Sequence, residues 1–281
     1  MSFSIFPPHC REIGTMFAQS ANKGPQLVRS VQDLTILENY ERGATKLKAT
    51  TFYHISNSDE LYFGVTSKGK MDTSIPEYNS ALKRVPDETV WPEAPADANL
   101  TLAPNNLTEE LAFLKRPQLK SYSFKNDNSL IPQSFLKETL IMEQLSKSPH
   151  PSLVQYLGCR VKRGRITAIW LERLELTLNQ YVNTLGFNQR DKNKFVDDIE
   201  SAVNHLHALG LAHNDINHSN IMIQGNKPIL VGFGSCQPFG ENLDAHGSPG
   251  LYENTKVFST SEKENDILSL NNLRDWIKKL V

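Results

Sequence analysis

Apolar positions follow two periods along this chain, and the change from one to the other divides it. Residues 48–56 and 60–67 are rich in Thr, Phe, Tyr, Val and Ile and flank the polar stretch Ser56-Asn-Ser-Asp59, which predicts a β-hairpin. Residues 111–115 predict a short strand stopped by Pro117, and 154–159 and 166–171 predict two more, joined by a tight turn at Lys162-Arg-Gly-Arg165. Helical spacing appears over 132–147, where Phe135, Glu138, Ile141, Met142 and Leu145 share one face. It returns over 176–184 and over 191–209, where Phe195, Ile199, Ala202, Val203, Leu206 and Leu209 form the apolar side and Gly210 ends the helix. Ser261-Glu-Lys-Glu264 has a capping-box pattern. It opens a last helix carrying Leu270, Leu273, Trp276, Ile277 and Leu280.

The remainder is less regular. Residues 1–45 show little periodicity and read as an extension whose order the sequence leaves open, with a short helix near 31–39. Residues 68–108 are rich in Pro, Asp and Asn and read as an irregular insertion packed by Tyr78 and Trp91. The predicted class is α+β with two unequal lobes: a mostly β N-terminal lobe over 46–172 and a helical C-terminal lobe over 173–281.

Composition narrows the function classes without choosing one. The chain has 281 residues with a formal net charge of −1, a balance that argues against a dedicated nucleic-acid binder. No apolar run is long enough to cross a bilayer, and the N-terminus lacks the basic start and apolar core of a secretory signal. Three widely spaced cysteines, Cys10, Cys159 and Cys236, fit reduced thiols. The expectation is a cytoplasmic or nuclear protein that is not secreted.

Candidate chemistry is concentrated in a few segments. In His213-Asn-Asp215-Ile-Asn-His-Ser-Asn220 an aspartate and an asparagine stand five positions apart, just before a run of β-formers. Ile229-Leu-Val-Gly232-Phe233-Gly234 follows closely. Upstream, Glu138 lies on the apolar face of its helix, where a carboxylate needs a cationic partner or hydrogen bonds to offset burial. The bland alternatives are surface charges at Lys115 and Glu138, and turn formers at Asp215 and Asn220. The histidines at 205, 207, 213 and 218 and Cys236 lack the spacing of a zinc site.

Taken in order, these segments resemble the protein kinase superfamily, with a particular likeness to compact kinase-like proteins found in fungi. The resemblance covers roughly 110–281, with the hairpin from 48 as a candidate for the first two strands. It implies a kinase-like bilobal fold with a shortened C-terminal lobe. Phe113-Leu-Lys115 resembles the strand lysine motif, whose lysine holds the α- and β-phosphates of ATP and pairs with a helix glutamate, here Glu138. His150-Pro-Ser-Leu-Val154 resembles the turn after that helix, and Glu172-Arg-Leu174 the hinge whose backbone meets adenine. His213-Asn-Asp215 stands for the usual His-Arg-Asp. The resemblance makes Asp215 the group that orients a substrate hydroxyl and accepts its proton, and makes Asn220 a magnesium ligand. Asp266 resembles the helix aspartate that braces this loop, and Gly247-Ser-Pro-Gly250 the end of the activation segment.

Three departures weaken the engine. Gly232 replaces the aspartate that chelates magnesium. Asn217 stands where many Ser/Thr kinases have lysine. No glycine-rich phosphate loop is present, and if the hairpin from 48 supplies the first strands, Ser56–Asp59 occupies its place with side chains and an acid. The implied activity is ATP- and Mg-dependent phosphoryl transfer to Ser/Thr hydroxyls, with ATP and Mg binding weak or lost. The alternatives are a catalytically dead pseudokinase that binds a protein partner, or a small-molecule phosphotransferase.

Overall fold

The computed structural model describes residues 26–40, 46–120, 122–123, 127–243 and 259–280. It divides into two compact units, one over 1–54 and 63–83, the other over 55–62 and 84–281.

Most residues of a four-stranded sheet lie in the first unit, in the order β1-β2-β3-β4: β1 (Thr35–Tyr40), β2 (Leu47–Ile55), β3 (Leu61–Thr66) and β4 (Lys83–Arg84). Its helix α1 (Ile75–Ala81) starts at a capping box in which Ser74 and Glu77 satisfy each other's backbone donors. Tyr78 of α1 packs edge-on against Phe52 of β2, ring centroids 4.7 Å apart. The helix expected near 31–39 is instead a single 3-10 turn, Val31–Asp33, followed by β1. Residues 35–40 (Thr-Ile-Leu-Glu-Asn-Tyr) pair with β2, and that pairing overrides a weak helical pattern. The insertion expected to be irregular holds α1 and β4.

The second unit begins its regular structure with an antiparallel sheet in the order β5-β7-β6: β5 (Ala112–Lys115), β6 (Tyr156–Lys162) and β7 (Arg165–Glu172). The hairpin from residue 48 is not part of this sheet, because its strands β2 and β3 belong to the four-stranded sheet. Helix α2 (Leu130–Ser146) lies beside the sheet, and Phe135, Glu138, Ile141, Met142 and Leu145 are all buried as their spacing predicts. The short strand β8 (Leu176–Thr177) and helices α3 (Leu178–Tyr181) and α4 (Leu185–Gln189) then lead to α5 (Lys192–Ala208). Asp191 caps α5 by accepting from the Asn193 and Lys194 amides. The chain continues through β9 (Leu211–Ala212), β10 (Ile221–Gln224), β11 (Lys227–Leu230) and β12 (Gln237–Pro238) to α6 (Lys263–Lys278). One apolar cluster joins Phe135 and Met142 of α2 to Ile166 and Ile169 of β7, Phe195, Ile199 and Leu206 of α5, and Leu270 and Leu273 of α6. Each such buried side chain contributes about 1.5–3 kcal/mol of transfer free energy.

Two local expectations change. Ser261 does not cap α6; it is fully buried, donating to the Gln237 carbonyl at 3.1 Å and accepting from Asn214 Nδ2 at 2.9 Å. Glu262 takes the N-cap position instead. Leu280, placed on the buried face by its spacing, is 40% exposed, because it lies past the last turn of the helix. The segment Gly247–Gly250 falls outside the described residues. No described helix is long and apolar enough to cross a membrane.

Candidate nucleotide site

Strand pairing and helix packing bring the scattered candidates to one place. Lys115 ends β5, opposite Ile169 of β7. Its ammonium donates to Glu138 Oε1, from the middle of α2. The Glu138 side chain is only 8% exposed, so this cation is the partner that its burial demands. Lys115, Glu138, Asp215, Asn220 and Gly232 line one cavity of about 520 Å³. Arg116 and Lys120 add two more cationic side chains to its wall. Glu172 and Leu174 lie outside that lining. The Glu172 carboxylate accepts from the Gln155 amide at 2.8 Å, and Leu174 packs partly buried against the core.

The loop from β9 to β10 is held from beneath by Asp266 of α6. That carboxylate is fully buried and accepts from the His213 and Asn214 amides, each at 2.8 Å, and from His207 Nε2 at 2.9 Å. Its bracing role, expected from the resemblance, is therefore visible in its partners. His213 is buried too. Its Nε2 donates to the Val231 carbonyl at 3.0 Å, and its Nδ1 accepts from the Asp215 amide at 3.3 Å. One donor and one acceptor describe a neutral imidazole, and burial pushes its pKa down despite the nearby Asp266 and Asp215 charges. Phe233 stands edge-on to the same ring at 5.1 Å, joining the loop to the Gly-Phe-Gly turn.

The polar side chains of the loop between β9 and β10 are turned toward one another. Asn217 Nδ2 donates to Asp215 Oδ1 at 2.9 Å, and Asn220 Nδ2 donates to Asp215 Oδ2 at 2.7 Å. Asn217 is buried, and its own oxygen accepts from the Ser219 amide at 2.8 Å. Both carboxylate oxygens of Asp215 thus carry amide partners from their own loop.

Gly232 has φ +84°, in the left-handed region. A Cβ there would lie 2.7 Å from Asn220 Cγ and closer still to Oδ1. Asn220 therefore fills the space that a side chain at 232 would need. For magnesium the donor set is poor: one neutral amide oxygen from Asn220, nothing from Gly232, and an aspartate already engaged. A hard divalent cation favours several charged or carbonyl oxygens, so these residues do not fit a dedicated metal site. For a nucleotide they fit better, since Lys115 lines the cavity beside its glutamate.

The chain matches the protein kinase domain model over residues 102–261, more than half its length. It belongs to the protein kinase family. It is 25% identical over 130 residues to a dual specificity protein kinase of Dictyostelium discoideum, an alignment covering 46% of this chain and 9% of the relative. It is 32% identical over 99 residues to a putative serine/threonine-protein kinase of Acanthamoeba polyphaga mimivirus, covering 34% and 18%. Against a cyclin-dependent kinase 4 homolog of Caenorhabditis elegans the figures are 23% over 150 residues, 50% and 34%. The kinase-like chain thus spans about a third or less of each of these relatives.

Some of what builds this site is not legible in the sequence. Asn214 adopts φ +61° and spans three elements, with Nδ2 near the Ala212 and Ser235 carbonyls and Ser261 Oγ, and its oxygen accepting from Asn265. The available signal was the residue type, because asparagine tolerates the left-handed region that arginine disfavours. The hairpin tip lies where the sequence puts it, but its partners leave no trace there. Asp59 is 1% exposed and accepts from Arg160 at 2.5 Å, Thr167 at 2.9 Å and Arg116 at 3.4 Å. Arg163 donates to the Ser58 carbonyl at 2.6 Å and to Asp87 at 2.5 Å. The acid that would stand over the phosphates if the hairpin supplied the first kinase strands instead neutralises arginines of the β5-β7-β6 sheet and the strand end beside it.

Proposed function

We propose that this chain is a nucleotide-binding member of the kinase family that transfers phosphate to Ser/Thr hydroxyls slowly or not at all. In this reading Lys115 holds the α- and β-phosphates, Glu138 holds Lys115, and Asp215 is the remaining acid of the catalytic loop. The observation that carries it is the Lys115–Glu138 ion pair on the wall of the cavity that Asp215 and Asn220 also line. Weak chemistry follows from Gly232 and from the two amides on Asp215. Losing one preorganised charge-stabilising contact costs about 3–4 kcal/mol, or roughly 10²–10³ in rate.

Thermal-shift titration with ATP, with and without Mg²⁺, tests this reading. The expected result is a modest stabilisation by ATP that Mg²⁺ changes little. A large Mg²⁺-dependent stabilisation would contradict it. A second reading, full Ser/Thr kinase activity, draws on the intact Lys115, Glu138 and Asp215. It requires Asn217 and Asn220 to release the carboxylate when a hydroxyl arrives.

A further inference from the structure

We propose that Glu143 is a positioning residue: it fixes α2 where Glu138 reaches Lys115, using residues 101–103 as a strap across the sheet edge. Glu143 is 5% exposed. Its Oε1 accepts from the Thr101 amide at 2.7 Å and from the Tyr156 hydroxyl at 2.8 Å, and its Oε2 accepts from Thr101 Oγ1 at 2.8 Å. These are three uncharged donors. Burying a carboxylate on such terms costs several kcal/mol of desolvation before any hydrogen bond is counted. Its neighbours Met142 and Leu145 fill core space with apolar atoms, so packing alone gives no reason for an acid here.

The strap is anchored independently of α2. Ala103 donates to the Cys159 carbonyl at 2.9 Å and Cys159 donates to the Thr101 carbonyl at 2.8 Å, with Leu102 bridged in parallel to Cys159. Gly158 makes room for it. Its φ is +117°, and a Cβ there would lie 2.6 Å from Ala103 N. The strap and β6 therefore offer α2 fixed donors, and Glu143 reads them. Glu143 lies five residues past Glu138, about 7.5 Å along the helix and roughly 140° around it. Pinning Glu143 sets both the rotation and the height of α2, and with them the direction of Glu138.

The positional claim is tested on the full chain without nucleotide. The readout is the rate at which an N-hydroxysuccinimide acetate reagent acylates Lys115 at pH 8, resolved by peptide mass spectrometry. An ammonium held by a carboxylate is shielded from the reagent, so releasing Lys115 from Glu138 in Glu143→Leu should acylate it about three- to tenfold faster than wild type. The expected ceiling is the rate in Glu138→Gln, and the double variant should show no further rise. Lys162 serves as the internal control and should not change. Glu143→Gln keeps an oxygen for Thr101 and Tyr156 and should stay near wild type. Gly158→Val dislodges the strap without touching Glu143 and should reproduce the effect, which covers the case that Glu143→Leu does not fold. An unchanged Lys115 rate in folded Glu143→Leu, with only a lower melting temperature, would overturn the proposal and leave Glu143 a structural residue.

The consequence for ligand binding rests on the nucleotide reading above, and ATP affinity should weaken about tenfold in Glu143→Leu. If wild type binds no ATP while Lys115 reactivity still responds, the nucleotide reading fails and the positioning role stands.

Discussion

At the scale of single residues, the site is shaped by what asparagine and glycine do where a kinase of ordinary sequence has charges. Gly232 has no side-chain ligand atom, and Asn220 occupies the space beside it and donates to Asp215. Gly232→Asp must displace Asn220, since its Cβ alone would overlap that side chain. The variant should lose roughly 1–3 kcal/mol of stability in metal-free urea denaturation and gain a Mg²⁺-dependent rise in melting temperature that wild type lacks. His213 makes a second prediction. It is neutral when folded, with its pKa lowered by burial, and its unfolded form protonates near pH 6.5. Below that pH the unfolded chain binds the extra proton, so stability falls as pH drops. His150, also lowered by burial and by His205, adds in the same direction. Chemical denaturation at pH 7.5 and 5.5 should show lower stability at 5.5, and His213→Phe should have a smaller difference between the two pH values.

At the scale of elements, buried carboxylates connect what the apolar core only brings near. Asp266 ties α6 to the loop before β10, Glu143 ties α2 to β6, and Asp59 ties residues 55–62 to the β6–β7 hairpin. Each satisfies several donors at once, so each removal strands several groups. Asp59→Ala leaves Arg160 and Arg116 without their shared anion and should cost about 3–5 kcal/mol, measured by urea denaturation. A loss below about 1 kcal/mol would mean that water replaces the carboxylate there. By contrast, the exposed pair Lys278–Asp275, with side chains 66% and 70% exposed, should contribute almost nothing.

At the scale of the whole chain, the kinase domain shows the family, and the proposed reading adds nucleotide binding with little transfer. Nucleotide binding and phosphoryl transfer should therefore separate. Lys115→Met should abolish the ATP-induced thermal shift, whereas Asp215→Asn should leave that shift within about a factor of two in affinity. In a radiolabelled transfer assay on a mixed Ser/Thr peptide pool, wild type and Asp215→Asn should both stay close to background. A clear gap between them would favour the active-kinase reading.

The sequence alone determined the order of the kinase motifs and most of the elements that carry them. Helical spacing marked α2, α5 and α6, and the buried face of α2 included Glu138, because a period of 3.6 is written directly in residue type. It also determined that position 232 offers no side-chain ligand atom, which residue type alone makes visible. Only the tertiary structure decided where the hairpin from 48 pairs, because one strand pattern fits either sheet and partner choice is a long-range matter. Only it decided that Asp59 faces arginines, that Asn217 and Asn220 turn onto Asp215, and that Glu143 is held by Thr101. Hydrogen-bond partners separated by tens of residues leave no periodic trace, so they become legible only once the chain has folded.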